Sequence, residues 1–496
     1  MMTDDAYISF RYARNFAEGY GLVWNVNDPP VEGYTNFLWV VVLAAFYRLG
    51  FDLELMSLIL GILAGAGTII LLSKTWPEEE SDRQSNLLAA LLLALSGPFA
   101  CWATSGLETS LFTFLIFAAF YARLQNRRQL SSILLFLAAL TRPEGVLVFG
   151  ILFLEMLHRR RQKQVESRDL IRFAVPFVLL FSGYFLWRYH YFGYLLPNTF
   201  YTKVGGTIWQ VWRGLKYTLG FWGVTLLPLL VFVRIMHRRL STTEITVVAV
   251  IGVYTLYTIL VGGDYMAMFR FFVPLLPWIA LPTAAAIRRV LQTFPADGIP
   301  RTALTLLALA AYLLPSVSLE RARNYIPAPQ IYWNIRYDSY PRMLFERLQV
   351  NRLSAIGHWL NQNVAHGSTL ACQGIGAIGY FAMHLEILDI NGLTDVNIAH
   401  KQIAGMGKGL AGHEKEDFLY TLSRKPDIIL ASRYLRKRSE NETFEKIYQG
   451  KLNLHTAEER ELIFKKLHAE YEIEYHFLED KANAESGYLI LLKRIQ

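Results

Sequence analysis

Residues 3–16, TDDAYISFRYARNF, put an acidic pair, Asp4-Asp5, and two arginines, Arg11 and Arg14, ahead of a long series of apolar spans that runs to about Pro315. Carboxylates beside a bilayer are costly to keep, so ionisable groups there are read first as functional. The bland alternative is capping, since acids at a helix N-terminus suit the helix dipole. Two adjacent acids can also divide labour, one as general base and the other holding a metal or orienting the first. Tyr7, Phe10 and Arg14 recur at helical spacing, which predicts a helix along the membrane surface.

The composition agrees with a membrane protein. The 496 residues are 53% hydrophobic and 18% charged, with mean hydropathy +0.25. A soluble chain is nearer 45–50% apolar and about 25% charged. The formal charge of +8 does not mark a nucleic-acid binder, because the basic residues lie between apolar spans rather than on one face. Two cysteines, Cys101 and Cys372, exclude a disulfide framework and argue against a metal–thiolate site. P-loop, GxGxxG and HExxH patterns are absent, which leaves nucleotide binding and zinc hydrolysis without support.

Hydropathy predicts a polytopic α-helical domain of about ten spans, near 54–73, 86–101, 107–123, 131–141, 145–157, 170–192, 221–236, 243–261, 271–289 and 301–317. The pair 131–141 and 145–157, split by TRPEG, is too short for two crossings and reads as two shallow helices meeting at a water-filled cavity. Residues 37–49 read as an interfacial helix. A soluble α/β domain is expected to follow, giving domains 1–317 and 318–496, with strands near 369–373, 385–390, 427–431 and 487–493 and helices near 351–363 and 457–469.

Arginine-rich loops (Arg123/Arg127/Arg128, Arg159–Arg161, Arg234/Arg238/Arg239) alternate with loops poor in positive charge, and the positive-inside rule assigns the first set to the cytoplasm. Residues 1–36 then form a first outer loop, and the C-terminal domain is extracytoplasmic. A chain that starts outside implies a further span upstream of Met1. Asp4, Asp5, Glu32, Glu108, Lys203, Asp264 and Arg270 fall on that same outer face, and TRPEG opens toward it.

The remaining motifs are weighed against plainer readings. In VEGYTNFLW, Glu32, Tyr34 and Asn36 could meet substrate, although Asn36 also suits a helix cap. SGLETS places Glu108 at the mouth of a span, where S-x-x-E fits a capping box. TRPEG buries Arg142 and Glu144 as an ion pair or a phosphate ligand with its partner. PNTFYTK offers Asn198, Tyr201 and Lys203. In VGGDYMAMFR, Gly262-Gly263 permits a turn that aims Asp264 inward, and Arg270 suits phosphate. DINGLTDVNIAH, with Asp389, Asn391, Asp395 and His400, reads as a turn after a strand.

An outer-face carboxylate site has no nucleotide sugar to draw on, so an activated donor must come through the bilayer, and a polyprenyl-phosphate sugar meets that need. One Asp would deprotonate an acceptor hydroxyl, and Arg142, Lys203 and Arg270, or a divalent cation (Mg or Mn) held by Asp5, would stabilise the departing phosphate. No cofactor is otherwise implied. A transporter or flippase of lipid-linked sugars without chemistry is the leading alternative, and a membrane scaffold is a third.

Taken together and in order, DDAYISFRYARNFAEGYG, VEGYTNFLW, SGLET, TRPEG, PNTFYTK, GGDYM…FRFF and DINGLTD resemble the terminal arabinofuranosyltransferase family of the mycobacterial cell wall and its bacterial relatives. More distantly, they resemble the protein O-mannosyltransferase and lipid A aminoarabinose transferase superfamily. The resemblance implies the C-type glycosyltransferase fold, a lipid-phosphate donor, inversion at the anomeric carbon and a first outer loop carrying the catalytic pair, with Asp4 ranked first as base. It leaves the sugar open between arabinofuranose and another pentose or hexose. Expected partners are the donor lipid, membrane lipid and a cell-envelope glycan or lipid acceptor, in the bacterial cytoplasmic membrane.

Overall fold

A computed structural model describes residues 2–75, 80–225, 241–293 and 340–495, less residues 404, 440–441, 450–451, 453–454 and 484. Most of the expected span at 221–236, all of that at 301–317 and the boundary at 317/318 lie outside these residues.

Each expected span within the described residues is helical. Among the described residues, four helices are long and apolar enough to cross a membrane: Leu53–Leu72, Ser167–Phe192, Thr242–Leu260 and Arg270–Arg288. The expected straight span at 86–101 is broken. Helices Arg83–Ala94 and Gly97–Ala103 meet at 64°, where Pro98 starts a new helix after Ser96. Counting that pair as one gives five among the described residues, which leave out most of the expected span at 221–236 and all of that at 301–317. The chain is a multi-pass membrane protein by these helices. Helices Arg128–Thr141 and Gly145–Arg161 are joined by Arg142-Pro143-Glu144. Phe37–Arg48 is a separate short helix.

The C-terminal region holds a five-stranded sheet in the order β2-β1-β3-β5-β4, with β1 Thr369–Cys372, β2 Glu386–Asp389, β3 Ile428–Leu430, β4 Tyr471–Asp480 and β5 Glu485–Arg494. Strand β1 pairs in parallel with β2 and β3, while β5 runs antiparallel between β3 and β4. Its inner strands carry the buried run Leu489–Leu492. Sequence reading misses β4, because an edge strand with Glu472, Glu474 and Glu479 lacks an apolar run. Helices Tyr340–Asn363 and Ala457–Glu470 match the expected pair.

The N-terminal helix, Asp4–Ala17, does not lie free on the membrane surface. It is mostly buried, wedged between the membrane helices and the C-terminal domain. Its backbone meets helix Ile375–Phe381 so closely that a Cβ on Gly376 would sit 1.9 Å from the Asp4 carbonyl. Arg11, which is 2% exposed, clasps the two parts. It donates to the carbonyls of Trp24 (2.9 Å), Gly379 (2.7 Å) and Leu385 (3.0 Å), and to Asn25 Oδ1 (3.1 Å). Asn25 in turn acts as a surrogate neighbour for edge strand β2. Its Oδ1 accepts from the Ile387 N–H at 2.9 Å, and its Nδ2 donates to the Ile387 carbonyl at 3.1 Å. A soluble-looking sequence is thereby locked onto the helical domain by its first 25 residues.

Candidate active site

Between the N-terminal helix, the TRPEG junction, the 196–204 segment and the 261–271 turn lies a cavity of about 320 Å³. Eight ionisable side chains of opposite charge line it: Asp5, Glu108, Glu144 and Asp264 against Arg142, Lys203, Arg213 and Arg270. Tyr34 and Asn36 line it too. Local backbone explains several of these positions. Gly262 and Gly263 adopt φ of +89° and +67°, followed by left-handed Met268 and Phe269, and this turn carries Asp264 and Arg270 to the cavity.

Most of the charges are already matched. Arg142 pairs with Glu108 at 3.0 Å and Glu144 at 2.9 Å, and Glu108 also accepts from Asn36 Nδ2 at 2.9 Å. Arg270 pairs with Asp264 at 2.5 Å. Both guanidiniums lie over the Phe271 ring, at 5.3 and 5.4 Å. Arg213 reaches out of the cavity to Glu414, 2.6 Å away in the C-terminal domain. Asp5 and Lys203 are different. Among the described residues, neither carboxyl nor ammonium has a hydrogen-bond or ion-pair partner. The buried hydroxyls of Tyr34 and Thr199 border the same space, also without partners. Unsatisfied buried polar groups are rare enough to mark a place where a ligand bonds.

Four expected site residues are elsewhere. Asp4 points into the C-terminal domain, where its carboxyl accepts from the N–H groups of Ala377 (2.8 Å) and Gly376 (3.3 Å). Burial pushes its pKa up to about 6 against the pull of the Ala377 bond. Asp4 is a cap, and Asp5 alone of the pair faces the cavity. Glu32 is tied to Arg188 at 2.5 Å. Asn198 donates to the Gly392 and Leu393 carbonyls, both at 2.9 Å, and so fastens the DINGLTD loop. Tyr201 packs against His400 with ring centroids 4.2 Å apart. That loop is the expected turn, with Asp389 accepting from the N–H groups of Asn391 (2.9 Å) and Thr394 (3.0 Å).

Sequence reading missed Arg213, Thr199 and Tyr265, and it missed the two C-terminal-domain residues that close the cavity, Leu393 and Ala411. Tyr265 adjoins Asp264 and could have been found there; Arg213 sits in an amphipathic helix with no motif around it. His413, whose ring meets Tyr265 edge-on at 4.9 Å, stands close enough to feel both Asp5 and Lys203, and burial lowers its pKa. Among the described residues, no group of three or more His, Cys, Asp or Glu side chains could hold a metal. The other carboxylates lining the cavity with Asp5 (Glu108, Glu144 and Asp264) are held by Arg142 and Arg270.

The crystal structure of ArnT from Cupriavidus metallidurans in the apo state is similar, with a TM-score of 0.50 and 14% identity over 78% of this chain and 82% of that one. The chain has the fold of ArnT. ArnT bound to undecaprenyl phosphate gives a TM-score of 0.48 at 14% identity, over 77% of this chain and 81% of that one. Residues 334–490 match a family model described as a domain of unknown function, DUF8728. No curated protein matches the chain. The likeness carries the fold, and it does not reach the arabinofuranosyl assignment.

Proposed function

We propose that this chain is an inverting glycosyltransferase that moves a sugar from a polyprenyl-phosphate donor to a cell-envelope glycan or lipid. The reading rests above all on one observation: among the described residues, a carboxylate, Asp5, and a cation, Lys203, stand unpaired in a cavity where the other lining charges are matched. Asp5 accepts the proton of the acceptor hydroxyl, whose oxygen attacks the anomeric carbon. The bond from that carbon to the phosphate oxygen breaks, and the phosphate leaves with its charge facing Lys203 and the fixed guanidiniums of Arg142 and Arg270. A single displacement inverts the centre. Tyr34 and Thr199 hydroxyls are placed to bond sugar hydroxyls, and Leu196, Phe200, Val204 and Val261 give the first prenyl units an apolar wall. No step runs through a cation.

The sugar is arabinofuranose or another pentose or hexose, and the site faces the outer side of the bacterial cytoplasmic membrane. The arginine-rich loops support that orientation, and nothing in the charge pattern supports a nucleic-acid partner. Membranes containing the chain, incubated with labelled polyprenyl-phosphate pentoses and hexoses, should release free polyprenyl phosphate and form a product of opposite anomeric configuration. Movement of the labelled lipid across the bilayer with no release of phosphate would replace transfer by flipping.

A further inference from the structure

A second cavity, of about 570 Å³, opens on the C-terminal domain beside the end of helix Ser167–Phe192 and is lined by Tyr194, Val396–Ile398, His400, Lys401, Asp417 and Tyr420. Its size falls among small-ligand sites. Two observations define its chemistry. The first is a ladder of rings: Tyr194 and Tyr201 flank His400, at 5.1 and 4.2 Å. Tyr194 remains 40% exposed. The second is the polar set opposite. Asn397 donates to the Tyr420 hydroxyl at 2.8 Å, and that hydroxyl donates to Asp395 at 3.1 Å. Lys401 is neutralised by Asp417 at 2.8 Å. The groove therefore offers a flat apolar ring, planar amide and hydroxyl groups and no surplus charge. That combination suits a ring with one apolar face and many hydroxyls; a phosphate or an acidic lipid headgroup would find no free cation.

Its position gives the groove a purpose. Tyr201, which backs the ring ladder, lies two residues from Lys203 on the six-residue helix Asn198–Lys203, a span of about 9 Å. We propose that this groove binds a neutral sugar unit of the acceptor glycan and feeds its growing end across that helix to the reaction cavity. The inference rests on the transfer reading for its biological role, but binding in the groove stands without it. It also accounts for Tyr201 and His400, two residues the reaction cavity leaves unused.

The test uses the full chain in detergent micelles, with linear arabino-, galacto- and manno-tetraoses as probes and an oligogalacturonate of the same length as the anionic comparison. Binding is followed by saturation-transfer NMR and by titration calorimetry, with no donor present. At least one neutral tetraose should bind wild type. Tyr194→Ala should weaken it about tenfold and Asn397→Ala several-fold. Asn397 is exposed at the groove, so its variant reports even if Tyr194→Ala folds poorly. Absence of binding by all neutral tetraoses overturns the proposal, as does affinity unaffected by Asn397→Ala and Tyr194→Ala, or tighter binding of the oligogalacturonate. A chain that binds through the groove yet transfers no sugar upholds this inference while ending the transfer reading.

Discussion

Arg11→Met is the sharpest test of how the C-terminal domain is held against the membrane part. Among the described residues, Arg11 has no carboxylate partner. Its charge is buried among four neutral acceptors, and burial lowers its pKa to about 10. Two of those acceptors keep another donor in the variant, because the Trp24 carbonyl also accepts from Asn15 Nδ2 and Asn25 Oδ1 from the Ile387 N–H. The Gly379 and Leu385 carbonyls lose theirs. Each buried acceptor left bare costs about 1–3 kcal/mol, and removing the guanidinium also relieves some desolvation. The expected net loss is about 2–4 kcal/mol. Arg11→Lys, with one ammonium in place of a fork, should recover only part of it. Thermal unfolding in detergent reads the loss. Limited proteolysis should show faster cleavage within residues 391–420, where the domain lifts from the helices. An Arg11→Met chain as stable as wild type, or more so, would refute the clasp and show that an apolar side chain fills that site equally well.

Three further outcomes follow from the same contacts. The carboxyl of Asp4 has a native pKa near 6, above its unfolded value of 3.8. Its contribution to stability is therefore full below about pH 4 and is lost as pH rises through about 6. The gap in unfolding midpoint between wild type and Asp4→Asn should thus shift in favour of wild type from pH 7.5 to pH 4.5, and no shift would contradict the buried cap. Glu108→Gln strips one of the two carboxylates from Arg142 and should lower transfer at least tenfold at constant protein yield, while Glu144→Gln should act similarly; a rate unchanged in both would remove the Arg142 cluster from the site. Asn198→Ala strips the donor from the Leu393 carbonyl, while the Gly392 carbonyl keeps the Thr202 hydroxyl, and the expected cost of about 1–3 kcal/mol is measurable by hydrogen exchange in the 389–395 loop.

Much of this architecture is written in local patterns. Long apolar runs reveal Leu53–Leu72 and Ser167–Phe192, and TRPEG marks the break between Arg128–Thr141 and Gly145–Arg161. The cavity could be anticipated from charges on one face, and Asp5, Glu108, Glu144, Asp264, Arg142, Lys203 and Arg270 do meet there. What a linear reading cannot supply is which polar residues serve the fold. Asp4 and Asp5 are neighbours with the same chemistry, yet successive helix positions point about 100° apart, and this sends one to Ala377 and the other to the cavity. Glu32 and Asn198 were sensible candidates whose partners, Arg188 and the 392–393 carbonyls, lie 156 and nearly 200 residues away. The hidden strand β4 and the wall residues Leu393 and Ala411 depend on how the C-terminal domain docks, which no periodicity records.

The central claim is that Asp5, rather than Asp4, takes the acceptor proton. Initial rates of transfer from a labelled polyprenyl-phosphate sugar, measured side by side for wild type, Asp5→Asn and Asp4→Asn at equal protein, test it most directly. Loss of a general base predicts a fall of about 10²–10⁴ for Asp5→Asn, with Asp4→Asn within a few-fold of wild type. Full activity in Asp5→Asn, or the larger loss in Asp4→Asn, would contradict the assignment and the cavity chemistry built on it.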